Sequence, residues 1–94
     1  METIKLEKDF TKKYYEGWNK PVHFIQLVET ETAYLYKREI GSYVDYEVFK
    51  KKVSKPTGKE MYPRATAFGK WAWSFKDIDK AYSKLYEITP SDAI

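Results

Sequence analysis

The chain has 94 residues and no cysteine, with 43% apolar and 33% charged residues. That is the composition of a single domain over 1–94, too short for two cores and too apolar for disorder. The missing cysteine excludes a disulfide framework, a Cys-based zinc site and a thiol nucleophile. No apolar run approaches the ~18 residues of a membrane span, and the start METIKLEKDF lacks the apolar stretch of a secretory signal, so no membrane association and a cytoplasmic setting are expected.

The first segment reads two ways. Phe10, Tyr14 and Trp18 recur at i+4 spacing, which suits a short helix, yet the same stretch could form an edge strand. Asn19-Lys20-Pro21 ends it, because proline disfavours the helical conformation at the residue before it. The β-branched and aromatic run VHFIQLVE predicts a strand over 22–29, and TAYLYKREI predicts a second over 32–40, joined to the first as a hairpin. Gly41-Ser42 predicts a tight turn with glycine first, leading into a third strand from Tyr43 to Val53. Residues 54–68, SKPTGKEMYPRATAF, contain two prolines and a glycine and predict a long surface loop. Large residues alternate from Lys70 to Lys76, the mark of a half-buried fourth strand. Asp77 then caps a helix in which Ile78, Ala81, Tyr82, Leu85 and Ile88 form one apolar stripe, and Thr89-Pro90 ends it.

The expected fold is therefore α+β, a four-stranded antiparallel sheet backed by one C-terminal helix, with an N-terminal segment available to cover the other face. Parity assigns Ile25, Leu27, Ala33, Leu35, Val44, Tyr46, Val48, Trp71, Trp73 and Phe75 to the helix side. The opposite side then carries Phe24, Val28, Tyr34, Tyr36, Arg38, Tyr43, Phe49 and Lys51, with Lys70 and Lys76. Left open, such a face of rings between cations suits a single-stranded nucleic acid, whose bases stack on the rings while lysines track the phosphates. It also suits burial under the N-terminal segment, or a homodimer contact.

Charge is concentrated in one window. Between Lys50 and Lys76 stand eight basic residues, Lys50, Lys51, Lys52, Lys55, Lys59, Arg64, Lys70 and Lys76, against the single acid Glu60. The window is +7 and the rest of the chain −4. A clustered positive field of this kind favours a local anionic partner, although a merely solvated Lys-rich loop has the same composition. The candidate nucleic-acid-binding residues are these eight cations with Tyr34, Tyr36 and Tyr43. The alternative partner is an acidic protein surface.

Catalytic chemistry is sparsely supplied. His23 is the sole histidine and sits within a strand, where a packed or edge role outweighs that of a general base. Lys55-Pro56-Thr57-Gly58-Lys59 lacks the glycine and hydroxyl residues of a phosphate-binding loop. Asp45 and Glu47 at i and i+2 on a strand share a face, as carboxylate pairs in metal-dependent nucleases do, but Phe49 replaces the lysine such a site requires, and solvated surface acids are the expectation. No catalytic residue, metal site or cofactor is predicted, and the chain is read as a non-enzymatic binding protein.

Tyr46-Glu47-Val48-Phe49, Tyr62-Pro63, Phe68-Gly69-Lys70-Trp71-Ala72-Trp73-Ser74-Phe75 and Asp79-Lys80-Ala81 together resemble a group of short uncharacterised proteins from phages and mobile elements of gut bacteria, as does Glu29-Thr30-Glu31-Thr32-Ala33-Tyr34. The likeness runs over residues 25–88. It implies a phage-type source acting in the bacterial cytoplasm, where small proteins bind nucleic acid or block a host protein, and it brings no catalytic residues. The order of four strands and a helix is also similar to the Whirly and Pur type of single-stranded DNA binding module, an analogy of element order alone.

Overall fold

Alternation of β-branched and aromatic residues puts Val22–Glu29 (β2), Ala33–Ile40 (β3) and Tyr43–Lys50 (β4) into three eight-residue antiparallel strands at the centre of the sheet. In the computed structural model, which describes residues 3–13 and 20–90, they are flanked by the four-residue strands Asp9–Lys12 (β1) and Ala72–Phe75 (β5). The five strands form one antiparallel meander in chain order, and helix α1 (Ile78–Ile88) follows the last. The sheet thus has five strands, not four. Asp-Phe-Thr-Lys has no β-branched run to announce a strand, and what recruits it is the open edge of β2, where the Phe10 ring stacks on Phe24 with centroids 4.7 Å apart. Of the two readings of the first segment, the edge strand holds at Asp9–Lys12, where Phe10 lies in β1, while Tyr14 and Trp18 of the helical reading fall outside the described residues.

Local signals account for the joints. Gly41 adopts φ +60°, the left-handed conformation a two-residue hairpin turn requires at that place. Between β2 and β3 the Thr30 hydroxyl accepts from the Ala33 amide at 3.0 Å. The Asp77 carboxylate accepts from the Asp79 amide at 2.8 Å and caps α1 as predicted.

Helix α1 lies against β3, β4 and β5 and closes a first core of Ala33, Leu35, Val48, Ala81 and Leu85, with Val28, Tyr46, Phe75, Tyr82 and Ile88 at its margin. Three parity assignments change. The pairing of β2 and β3 shifts between Gln26 and Val28, a bulge that turns Val28 onto the helix side and leaves Leu27 38% exposed. Trp71 precedes β5 and packs on the opposite face. Trp73 keeps the helix side but is only half-buried, with the Lys84 ammonium 4.6 Å from its ring centroid.

The second core lies on the other face, built from Val22, Phe24, Tyr34, Tyr36, Ile40, Phe49, Ala67 and Ala72. Its cover is mostly the stretch expected to be a surface loop. Tyr62, Phe68 and Trp71 pack onto it together with Leu6 and Phe10 from the N-terminal part. Val53 bridges Glu60 to start the return of the chain, Ile4 bridges Lys59 beside it, and a 3-10 turn at Ala65–Ala67 seats Ala67 in the core. Four buried rings side by side present more apolar surface than a loop gains by remaining solvated, and Tyr62, Pro63, Ala67 and Phe68 supply the complementary apolar side chains.

Candidate functional site

Tyr34 and Tyr36 stand on the face away from the helix, as predicted, but both are fully buried. Tyr34 donates its hydroxyl to Glu60 Oε1, and Tyr36 donates to the Glu7 carbonyl at 2.6 Å while accepting from Gln26 at 3.0 Å. Burial first, and then the Glu60 carboxylate, push the Tyr34 hydroxyl well above the ordinary phenol range. An open sheet face carrying rings for stacking is therefore overturned at these two positions, because the loop and the N-terminal part occupy the space that bases would need. Tyr43 remains 36% exposed at the far end of β4, with the Lys76 ammonium 5.6 Å from its ring centroid.

Asp45 and Glu47 are not solvated surface acids. Both are buried on the same face, where Arg38, directly opposite Asp45 in the β3–β4 register, donates from Nε at 2.9 Å and from Nη2 at 2.6 Å to the two carboxylate oxygens. Arg38 Nη1 stands 3.8 Å from Glu47, which also accepts from the Tyr62 hydroxyl. Burial opposes the guanidinium charge, but the Asp45 hydrogen bonds and the two carboxylates outweigh it and hold the Arg38 pKa above its ordinary value. The acids are thus spent on an internal ion cluster. Arginine facing an Asp-x-Glu pair across a hairpin was the signal for it in the sequence.

His23 bridges three strands. Its Nε2 lies 2.5 Å from Asp9 on β1 and its Nδ1 3.2 Å from Glu39 on β3, while Glu39 also meets Lys37 at 3.2 Å. Two carboxylates at the two ring nitrogens favour the imidazolium, and the Asp9 hydrogen bond above all, with Glu39 adding to it against a desolvation cost, raises the His23 pKa. Because the folded-state pKa is raised, the stability His23 contributes is fully present below about pH 6.5 and is lost as pH rises through the folded-state value. Melting temperatures of wild type and His23→Gln should accordingly differ most near pH 5.5 and converge toward pH 9. Parallel profiles would contradict the bridge.

The eight cations of the basic window do not form one patch. Lys51 is committed to Glu29 at 2.7 Å, and Glu29 also takes Lys5 at 2.9 Å, which together hold its carboxyl below the usual range. Lys76 stands by Tyr43, at the opposite end of β4 from Lys50, seven residues or roughly 23 Å away. Near Trp71, Lys52 Nζ lies 6.0 Å from the indole centroid, while the Lys50 backbone amide donates to the Trp71 carbonyl at 2.9 Å and Lys70 precedes Trp71 in the chain. Lys55 and Lys59 occupy the turn between Val53 and Glu60, and Arg64 opens the 3-10 turn. No protein-family model, curated protein or solved structure gives a significant match to this chain. Its site is accordingly argued from geometry. Among the described residues no three His, Cys, Asp or Glu side chains gather to hold a metal ion, and no helix is long and apolar enough to cross a membrane.

Seven of the eight cations are exposed and Lys51 is half-buried, while sequence reasoning misplaced Trp71. The alternation Trp-Ala-Trp-Ser-Phe assigned both tryptophans to one face, whereas β5 begins only at Ala72. Gly69, at φ +88°, lies in the turn that leads into it.

Proposed function

We propose that this protein binds nucleic acid without altering it covalently, gripping the phosphate backbone through the basic window rather than through its sheet face. One observation carries the reading. Lys50, Lys52, Lys55, Lys59, Arg64 and Lys70 are all exposed, and none forms an ion pair among the described residues, while other cations of the domain, Lys5, Lys37, Arg38, Lys51 and Lys84, each meet a carboxylate. Six exposed, unneutralised cations in one segment favour a polyanion, and Tyr62, Phe68 and Trp71 seat that segment on the second core.

Counterion release provides the test. Six phosphate contacts would weaken binding on the order of 10³-fold between 50 and 200 mM salt, with a linear dependence of log affinity on log salt. Replacing Lys52 or Lys55 by Ala should weaken binding to every sequence alike and lower that slope by about one unit. Fluorescence anisotropy with labelled oligonucleotides measures both. Absence of oligonucleotide binding at ~50 mM salt, where even non-specific phosphate contacts register, would sink the reading and favour docking on an acidic protein surface.

A further inference from the structure

With Tyr34 and Tyr36 buried, the aromatic surface that the cations frame is at Trp71. Its side chain is half-buried, anchored edge-on against Phe49 with centroids 6.5 Å apart. Lys52, without a carboxylate partner among the described residues, holds its ammonium 6.0 Å from the ring centroid, and Lys70 is the residue before it in the chain. Indole area is kept in water here although the core beneath it is apolar, and the charge beside it is positive. That combination of a ring fixed by packing and a flanking cation is what an unpaired base with its neighbouring phosphate requires: the base stacks, and the ammonium group meets the phosphate. Duplex bases are already stacked on one another and offer no free face.

We infer that Trp71 is the stacking platform for an unpaired polynucleotide strand, with Lys52 as the phosphate contact beside it. The inference rests on the nucleic-acid reading and adds to it a preference for single strands, located at one residue. Tyr43 with Lys76 lies at the other end of β4 and is not part of this platform.

The test uses the full chain with twelve-residue oligothymidylate and oligouridylate, and a duplex of the same length, at ~50 mM salt. Trp71→Leu should weaken binding to both single strands about 5- to 150-fold and to the duplex less than about twofold, with the salt slope unchanged, and Trp71→Phe should restore most of the loss. Equal losses on single strands and duplex would reduce Trp71 to a structural residue and overturn the inference while leaving the basic window as the nucleic-acid site. Failure of the wild type to bind any of the three would remove the underlying reading itself, and competition by polyglutamate with the same dependence on Trp71 would assign the platform to an acidic protein instead. Should Trp71→Leu not fold, a bromodeoxyuridine-substituted strand photo-crosslinked to wild-type protein decides the matter. The adduct is expected on Trp71, and an adduct mapped to Tyr43 or Trp73 alone overturns the assignment.

Discussion

Phe49→Ala should destabilise the domain by about 3–5 kcal/mol, the usual cost of emptying a buried aromatic site, out of a total of roughly 5–15 kcal/mol for a domain of this kind. Phe49 has no exposed surface, and its ring lies 4.9 Å from Tyr62, 5.6 Å from Tyr36 and 5.8 Å from Tyr34, so one deletion opens a cavity beneath both the sheet and its cover. A melting temperature lower by about 12 °C or more is expected for a chain of this length. Trp73→Ala, at a half-buried ring on the helix side, should cost less despite the larger side chain. A thermal melt of Phe49→Ala within ~2 °C of wild type would mean that the second face is open to solvent after all, and the stacking roles of Tyr34 and Tyr36 would return.

The second large effect is expected at Arg38. Its partners Asp45 and Glu47 have side chains only 5% and 3% exposed, so Arg38→Met leaves two buried carboxylates without their cation, a change that typically costs about 3–5 kcal/mol. Asp45→Leu added to Arg38→Met should recover part of that loss, since a buried pair replaced on both sides by apolar groups is often near neutral. Urea denaturation of the two single variants and the double variant yields the coupling directly, expected at about 0.5–3 kcal/mol for residues in contact. Strictly additive losses would show that the bidentate geometry contributes nothing.

What was legible in advance is what short-range physics controls. The β2, β3 and β4 strands, the Gly41 turn, and the Asp77 cap with its helix each follow from periods of two or 3.6 and from single residues whose backbone or side chain serves one local geometry. β1 stands between a short helix and an edge strand in the sequence because four residues carry too little pattern, and the edge strand forms where β2 offers unpaired amides and Phe24 a ring to stack on. The bulge at Leu27 escaped it as well, since one extra residue reverses parity beyond it without any mark in composition.

The sequence by itself determined an α+β fold with a helix-backed antiparallel sheet and a segment in which basic residues are concentrated. Only the tertiary structure decided which aromatic rings remain at the surface. Residues 54–68 read as a surface loop because prolines, a glycine and lysines interrupt every period, yet Tyr62, Pro63, Ala67 and Phe68, with Trp71 after them, help to bury the face that Tyr34, Tyr36 and Phe49 present. Hydrophobic burial is non-directional and sums over whatever apolar area two surfaces share, so it leaves no periodic trace in the segment that supplies one of them. The same closure turned Asp45 and Glu47 inward onto Arg38, committed Glu60 to Tyr34, and left Lys52 beside the half-buried indole of Trp71.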